Sequence, residues 1–218
     1  MPVMLDLFCG AGGAGKGYAD AGFQVIGVDL HPQPRYPYEF HQADAIEYLR
    51  AMTVFGFSGI NAIHASPPCQ RFSRMSNCAP GTSEKYPDLV EPVRVLLRCI
   101  GLPYVIENVE GAPLIDPVRL CGTSLGLRIR RHRLFESNME LAGLPCRHEG
   151  YIMNPHNTIG RLRMREVFGA EYGDIEPMWR REMSVDWMTP HEAREAIPPV
   201  MTEYIGRQLL GQEMRQAA

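Results

Sequence analysis

A cysteine that follows two prolines is the first candidate for chemistry in this sequence. Cys69 comes shortly after the apolar run INAIHAS (60–66), which predicts a buried strand. Pro67 and Pro68 restrict the backbone just before the thiol, and this suits a nucleophile that must be held still. A single cysteine is more often a buried structural residue. Here the polar neighbours favour a nucleophile: Ser66, Gln70 and Ser73.

A glutamate in a comparable position is the second candidate. Glu107 lies near the end of PYVIENV (103–109), another apolar run that predicts a strand. A carboxyl group there can act as an acid or a hydrogen-bond donor if burial raises its pKa. An isolated glutamate at a strand end is more often solvated or salt-bridged. Ligands of open α/β sheets lie at the carboxyl ends of the strands, so we expect Glu107 and Cys69 to face one crevice and act together.

A glycine-rich turn near the N-terminus indicates a nucleoside site. The turn CGAGG (9–13) joins a predicted strand to a helix, and the next predicted strand ends in Asp29, which can accept hydrogen bonds from ribose hydroxyls. The turn lacks the G-x-G-x-x-G spacing of dinucleotide sites, which favours a ligand without phosphates, such as S-adenosylmethionine. A turn built only for tight packing is the alternative. The predicted cofactor contacts are Phe8, Gly10, Ala11, Gly12, Gly13, Asp29, Asp44 and Pro68.

Strand and helix patterns alternate along most of the chain. This alternation is typical of a mostly parallel sheet covered on both faces, a Rossmann-like α/β fold. Asp44 begins one of the helices, where it is either a plain N-cap or a partner for an adenine amino group. The predicted strands are 3–8, 23–29, 40–42, 60–66 and 103–109, and the predicted helices are 14–22, 44–52, 88–100 and 189–212, the last broken at Pro198–Pro199.

Composition limits the class of protein. The 218 residues are 45% hydrophobic, enough for one sizeable core, and the net charge is −3. No run approaches the ~18 apolar residues of a membrane span, and the N-terminus does not resemble a signal peptide. Six cysteines lie without framework spacing, which is typical of a reducing compartment. We expect a soluble, cytoplasmic protein, a monomer with no membrane partner.

Five motifs in this sequence resemble those of the 5-cytosine DNA methyltransferase family, in the family's order and over nearly the whole chain. Their residue types also suit one another chemically, because a thiol, an acid and a nucleoside turn are what methyl transfer to a pyrimidine needs. The motifs are DLFCGAGGAGKGYADAGFQVIGVD (6–29), SPPCQRFS (66–73), ENV (107–109), RIRRHRLF (128–135) and AIPPVMTEYIG (196–206).

The resemblance implies a mechanism with named roles. Cys69 is the nucleophile that adds to C6 of cytosine, which activates C5 for methylation. Glu107 is the partner of N3, and the paired arginines Arg131 and Arg133 complete the catalytic set, with Arg133 steadying the base carbonyl and Glu107. The family flips its base out of the duplex, so the partner is double-stranded DNA. The segment 71–85 is then a candidate lid that closes on the DNA.

The region after the arginine motif departs from the family. The family's motifs have Gln where this chain has Ile129, and Gly-Asn where it has Arg194 and Glu195. Only about fifty residues separate the arginine motif from the closing helix, too few for many base-edge contacts, so we expect a target of about two to four base pairs. This compact build resembles methyltransferases of bacteriophages in a bacterial host. A restriction enzyme as partner cannot be read from the sequence.

We divide the chain into a catalytic and cofactor-binding domain (1–135), a small recognition appendage (136–184) and a C-terminal helix that returns to the catalytic domain (185–218). Arginines in the appendage alternate along the chain, so an extended segment would present them on one side to DNA, although a solvated face is the alternative. The predicted DNA contacts are Gln70, Arg71, Ser73, Arg161, Arg163 and Arg165.

The same region contains residues that can bind a metal. Cys146 and His148 lie close together, with His156, Cys121 or His132 as further candidates. Their spacing matches no strong zinc motif, so we assign no metal site.

Three other functions remain open. A transfer-RNA cytosine methyltransferase carries a similar motif set. A catalytically impaired DNA-binding homologue is favoured only by the altered positions 129, 194 and 195. A nicotinamide-dependent oxidoreductase would lack its full glycine pattern and would leave Cys69 without a role.

Overall fold

A sheet of seven strands runs through the structure, a computed structural model that describes residues 1–72, 86–148 and 180–216, with side chains described as far as 211. Its spatial order is β3-β2-β1-β4-β5-β7-β6. The first five strands are parallel to their neighbours, and β7 is antiparallel to both β5 and β6. The strands are β1 Val3–Leu7, β2 Gln24–Asp29, β3 Glu39–Gln42, β4 Ala62–Ala65, β5 Tyr104–Asn108, β6 Val118–Cys121 and β7 His132–Ser137.

Helices cover both faces of this sheet. Side chains of successive strand residues point to opposite faces, so Met4 packs on one side and Leu5 on the other. The first face is covered by α1 and α5, and the second by α2 and α3. The helices are α1 Gly13–Ala21, α2 Ala45–Phe55, α3 Val90–Ile100, α4 Pro190–Glu195 and α5 Pro199–Gln216, with a short 3-10 helix at Gly122–Leu125.

The predicted Rossmann-like fold is confirmed, and each predicted strand and helix has a counterpart within a few residues. The predicted helix over 189–212 is two helices, α4 and α5, separated at the predicted proline break. Asp44 caps α2, its Oδ1 accepting from the backbone N–H groups of Ile46 at 2.8 Å and Glu47 at 3.1 Å. None of the described helices has the length and apolar character that crossing a membrane requires.

The sequence analysis did not predict β6 and β7. β7 reads HRLFES, and its polar residues hide the alternation expected of a half-buried strand. Glu136 in this strand is 3% exposed and pairs with Arg94 of α3, whose Nε and Nη2 donate to its two carboxylate oxygens at 2.7 and 2.8 Å. A buried charge is tolerated when it is paired in this way.

The predicted domain boundary at residue 135 falls inside β7. This strand continues to Ser137, and Met139, Leu141 and Leu144 then pack against the apolar cluster beneath α1 and α5. The backbone N–H of Ala142 also donates to Gln208 Oε1 of α5 at 2.7 Å. The described chain as far as 144 therefore packs with the sheet and its helices, and most of the predicted appendage (149–179) lies outside the described residues.

The C-terminal helix α5 packs directly on α1. The hydroxyl of Thr202 donates to the Ala14 carbonyl at 2.9 Å. Gly17 permits this approach, since a Cβ at that position would lie 2.0 Å from the Pro199 carbonyl oxygen. The packing holds the C-terminal segment next to the glycine turn that begins α1.

Two titratable side chains lie in the centre of the sheet. Asp6 of β1 is fully buried and accepts a hydrogen bond from the Tyr36 hydroxyl at 3.1 Å. Burial raises its pKa from 3.8 to about 7, although the hydrogen bond from Tyr36 opposes the shift. His64 of β4 shares a hydrogen bond of 2.9 Å with the Tyr18 hydroxyl, and burial lowers the pKa of His64 to about 3.

Replacing Asp6 by Asn should flatten the dependence of stability on pH. Between pH 3.8 and about 7 the unfolded Asp6 is ionised while the folded one keeps its proton. Its contribution to the free energy of unfolding is therefore fully present at acid pH and decreases by roughly 1 kcal/mol per pH unit until about pH 7. Urea unfolding across this range should show a smaller slope for Asp6→Asn than for wild type.

The exposed acid Asp20 of α1 provides the matched control. Asp20→Asn should keep the wild-type slope, and an unchanged slope in Asp6→Asn would contradict the assignment.

Candidate active site

A cavity of about 550 Å³ opens at the point where the strand order reverses, between β1 and β4. Loops that follow two adjacent parallel strands diverge at such a point and leave a crevice for a ligand. The loop after β1 contributes Phe8, Gly10 and Ala11 to its wall, and the loop after β4 contributes Pro68 and Cys69. Glu107 and Arg133 line the same cavity.

Cys69 lies on a loop that is held against the end of β1. The backbone N–H of Ser66 donates to the Leu7 carbonyl at 3.2 Å, and the Ser66 hydroxyl donates to the Phe8 carbonyl at 3.3 Å. The N–H of Phe72 donates to the Cys69 carbonyl at 2.9 Å and closes a tight turn around the thiol. Partial burial raises the pKa of Cys69, while the Arg133 guanidinium opposes this shift by favouring the thiolate.

Glu107 is buried at the end of β5 beside an arginine of the next strand. It is 5% exposed, and the Nε of Arg133 lies 2.8 Å from its Oε1. Within the described part of the chain, no donor is directed at this buried Oε1 with hydrogen-bond geometry. Burial raises the pKa of Glu107, and the charges of Arg133 and then Arg131 oppose the shift. The carboxyl group can therefore hold a proton above its usual range.

A residue that the sequence analysis missed joins the two predicted catalytic segments. Asn108, 1% exposed, directs its Nδ2 to the Pro67 carbonyl at 2.9 Å. Its Oδ1 accepts from the N–H of Val109 at 2.9 Å. The residue after Glu107 thus fixes the loop that carries Cys69. Its position within ENV was the available signal, but this contact depends on the tertiary arrangement.

The two predicted catalytic arginines have different positions. Arg133 lines the cavity, whereas Arg131 does not. Arg131 is 7% exposed, and its Nη2 donates to the Arg194 carbonyl in α4 at 2.6 Å. Burial lowers the pKa of Arg131 well below its usual value, with the charge of Arg133 acting in the same direction. Its contacts suit a residue that holds α4 against the cavity.

The glycine turn has the backbone conformation that its sequence predicts. Gly10 has φ +50° and Gly12 has φ +90°, values in the left-handed region that favours glycine. Phe8 also has a positive φ of +57°, which costs about 1–3 kcal/mol for a non-glycine residue and is common beside ligand sites. The Asp29 carboxylate supports the turn, since its Oδ2 accepts from the Gly10 N–H at 3.0 Å.

Two of the glycines also have packing roles. A Cβ at Gly12 would lie 2.9 Å from Pro37 Cδ, and one at Gly13 would lie 2.6 Å from the Ile197 carbonyl oxygen. Gly13 lines the cavity, but Gly12 does not. Tight packing, the alternative explanation for this turn, therefore accounts for Gly12.

The remaining predicted cofactor residues surround the same cavity. Asp29 and Asp44 line it, although Asp44 also caps α2, so its two predicted roles are compatible. Ala11 lines it too, and its carbonyl accepts from the Trp187 indole Nε1 at 2.9 Å.

The C-terminal segment forms a wall of the cavity that the sequence analysis did not predict in detail. Glu192 and Glu195 of α4 both line it. Arg35 binds Glu192 through Nε and Nη2, each at 2.8 Å from a carboxylate oxygen. The Arg35 hydrogen bond is the main reason that the pKa of Glu192 falls to about 2. This pair connects the loop after β2 to the last part of the chain.

The altered family positions have structural explanations. Ile129 is fully buried and packs with Met183 and Val185, so an apolar residue suits this position. Arg194 accepts the Arg131 hydrogen bond through its backbone carbonyl. Glu195 faces the cavity.

The predicted DNA contacts fall largely beyond what the structure describes. Gln70 lines the cavity beside Cys69. Arg71 does not line the cavity, and the Nη1 of Arg71 donates to the Tyr86 carbonyl at 3.0 Å. Most of the candidate lid (71–85) is outside the described residues. So are Ser73, Arg161, Arg163 and Arg165.

Four residues with metal-binding side chains lie together, although the sequence analysis assigned no metal site. Cys121, His132, Cys146 and His148 place one sulfur or nitrogen atom each within 4.8 Å of the others. His156 lies outside the described residues.

Comparison with known proteins identifies relatives among methyltransferases. No family model matches the chain. The Type II methyltransferase M.XorII of Xanthomonas oryzae pv. oryzae is 30% identical over 123 residues, which are 50% of this chain and 28% of that protein. The Type II methyltransferase M.HgiGI of Herpetosiphon aurantiacus is 28% identical over 117 residues, 50% of this chain and 92% of that protein.

Similar architecture occurs in a crystal structure described as a DNA modification methyltransferase encoded within an E. coli prophage. It has a TM-score of 0.58 and 13% sequence identity, and the match covers 97% of this chain and 99% of that one. This likeness concerns the fold. The curated relatives confirm the predicted resemblance to methyltransferases and the cofactor that it implies, S-adenosylmethionine.

The cavity residues suit that cofactor. Its volume of about 550 Å³ lies within the range of ~300–1,000 Å³ usual for small-molecule sites. Asp29 can accept ribose hydroxyls, and Asp44 can accept an adenine amino group. The residues that would hold the cofactor and Cys69 line the same cavity.

Removing the Asn108 side chain should loosen the loop that carries Cys69. Asn108→Ala leaves the buried Pro67 carbonyl without its donor and should lower the free energy of unfolding by about 1–3 kcal/mol. It should also increase the alkylation rate of Cys69 by iodoacetamide, followed at the peptide level by mass spectrometry.

Asn138 offers a matched control at the opposite end of β5, where its Oδ1 accepts from the Tyr104 N–H at 2.8 Å. Asn138→Ala should lower stability without changing Cys69 alkylation. Equal alkylation rates in the two variants would contradict a specific role for Asn108.

Proposed function

We propose that this chain, whose sequence resembles those of methyltransferases, transfers a methyl group from S-adenosylmethionine to C5 of cytosine in double-stranded DNA. One observation carries the proposal. The thiol of Cys69 and the carboxyl group of Glu107 come from loops and strands far apart in the sequence, yet they open into one cavity beside the glycine turn. A protein that only bound DNA would need neither side chain there.

Cys69 suits the first step of such a reaction. Cytosine C5 is a poor nucleophile, but addition of a thiolate to C6 turns the ring into an enamine-like species that can attack through C5. The Arg133 guanidinium favours the thiolate, and this opposes the effect of burial on the pKa of Cys69. The Asn108 bond to Pro67 keeps the sulfur at a fixed place relative to Glu107.

Glu107 suits the charge that this addition pushes into the ring. Its raised pKa allows the carboxyl group to keep a proton for N3, and the oxygen at 2.8 Å from Arg133 stays beside a positive charge. Arg133 can also reach toward the base carbonyl, since it lines the same cavity. After transfer, loss of the C5 proton and of the Cys69 thiolate restores the aromatic ring.

The cofactor supplies an electrophilic methyl group when it is bound. The chain's part is to position that group, and the residues around it come from three segments: the glycine turn, the loop after β4 and the C-terminal α4. Arg35 and Glu192 hold the last of these against the cavity.

A duplex substrate must expose its base before Cys69 can reach C6, because that atom is covered by the neighbouring bases in the stack. Gln70 lines the cavity beside Cys69, and its buried Oε1 has no hydrogen-bond partner among the described residues. We propose that this side chain contacts the flipped base or fills the space that the base leaves.

Replacing Cys69 by Ser should lower the rate of methyl transfer by about a thousandfold or more, because a hydroxyl group is a far weaker nucleophile than a thiolate. The measurement is labelled methyl transfer from S-adenosylmethionine to duplex DNA, with transfer RNA as a second substrate. Wild type should also form a covalent complex with DNA containing 5-fluorocytosine, because fluorine blocks the final proton loss.

Cys99→Ser is the matched control, since this exposed cysteine lies on α3 away from the cavity. It should retain activity and complex formation. Normal methylation by Cys69→Ser would overturn the proposal, and transfer only to RNA would replace DNA as the substrate.

The rate should depend on pH in a bell shape. The Cys69 thiolate becomes more abundant as pH rises, whereas the Glu107 proton is lost as pH rises through its elevated pKa. Glu107→Gln should lower the rate by about a hundredfold and remove the alkaline decline that belongs to Glu107.

Glu47→Gln changes an exposed acid on α2 and should leave both limbs unchanged. Single-turnover rates across the pH range distinguish these outcomes. Retention of the alkaline decline in Glu107→Gln would assign that limb to another group.

A further inference from the structure

A second cluster of reactive side chains lies outside the proposed methyl-transfer site. Cys121 ends β6 and His132 begins β7, and the two are directly paired across the antiparallel ladder. Cys146 and His148 come from the segment that follows β7. The sulfur and nitrogen atoms of all four lie within 4.8 Å of one another.

The distances between these atoms match the edges of a tetrahedron around zinc. With Zn–N of about 2.05 Å and Zn–S of about 2.3 Å, two nitrogens are about 3.3 Å apart and a nitrogen and a sulfur about 3.6 Å apart. His132 Nε2 and His148 Nε2 are 3.3 Å apart. Cys121 Sγ lies 3.4 Å from His148 Nε2, and Cys146 Sγ lies 3.5 Å from His132 Nε2.

Neighbouring side chains contact two of these four residues, His132 and Cys121, and hold them in position. The other ring nitrogen of His132, Nδ1, lies 3.2 Å from a carboxylate oxygen of Glu110. A carboxylate that accepts from the far nitrogen of a histidine is the usual partner of a metal-bound imidazole, because it fixes the ring and its tautomer. The Thr123 hydroxyl lies 3.1 Å from Cys121 Sγ, and the N–H of Arg147 donates to the same hydroxyl at 3.4 Å.

We propose that Cys121, His132, Cys146 and His148 bind one Zn²⁺ ion in a closed, structural site. Two thiols release their protons on binding, so the two thiolates balance the charge of the ion. Four protein ligands leave no open position for a substrate, which is typical of structural rather than catalytic zinc. The ligand spacing matches no familiar zinc motif: His132 comes eleven residues after Cys121, and Cys146 comes fourteen residues after His132. The reason is that pairing between two β-strands brings Cys121 and His132 together.

The site would connect two functional parts of the protein. Cys146 and His148 lie within the predicted recognition appendage (136–184), immediately before the part of it that the structure does not describe, 149–179. His132 precedes Arg133, the partner of Glu107, along β7. An ion bound there would tie the segment leading to the recognition region to the strand that supports the proposed active site. The metal proposal itself does not depend on methyl transfer.

Metal content of the full-length, reduced protein tests this inference. Elemental analysis should find one zinc per chain, and replacement by Co²⁺ should give the strong visible bands of a tetrahedral site with thiolate charge transfer in the near ultraviolet. Cys146→Ser and His148→Asn should each weaken zinc binding at least about a hundredfold. Glu110→Gln, which removes only the carboxylate partner of His132, should weaken it about tenfold to a hundredfold.

Cys99→Ser serves as the matched control and should bind zinc as wild type does, since Cys99 is exposed on α3 and is not one of the four clustered residues. Chelation should lower the melting temperature of wild type and Cys99→Ser but not of the two ligand variants. A folded wild-type chain that takes up no zinc, ligand variants that bind as tightly as Cys99→Ser, or a Cys121–Cys146 disulfide in place of the ion would each overturn the proposal.

Discussion

The contact between Glu107 and Arg133 is the constraint around which the site is arranged. The Glu107 side chain is 5% exposed, and the Arg133 guanidinium beside it offsets part of the cost of burying a carboxyl group that can ionise. The direction of β7 makes this pairing possible. Because β7 runs antiparallel to β5, it begins where β5 ends, and its first residues lie at the same edge of the sheet as the loop carrying Cys69. A parallel strand would have placed its first residues at the far edge.

β7 also shows why part of the fold escaped the sequence analysis. Strands β1, β2, β4 and β5 lie inside the sheet and are largely apolar, so their pattern was sufficient to predict them. In β7, His132, Arg133 and Glu136 have partners in other segments, at Glu110, Glu107 and Arg94. Each polar residue is explained by a contact that is distant in sequence, and no local pattern contains that information.

The candidate site divides in the same way. Glycine φ values, a strand-end acid and a proline-restricted thiol are local properties, and the predicted residues Gly10, Asp29 and Cys69 do line one cavity. Other contacts depend on how distant elements pack, and no local pattern predicts them. They are the Asn108–Pro67 hydrogen bond, the Arg131 hydrogen bond to α4 and the Arg35–Glu192 pair. The same limit applies to Cys121 and His132, which become neighbours only through strand pairing.

The return of the C-terminal segment has a consequence for biosynthesis. The glycine turn leaves the ribosome well before the indole of Trp187, which donates to the Ala11 carbonyl, and the hydroxyl of Thr202, which donates to the Ala14 carbonyl. The turn therefore lacks these two supports until residues 187–202 have been synthesised and have folded back onto it.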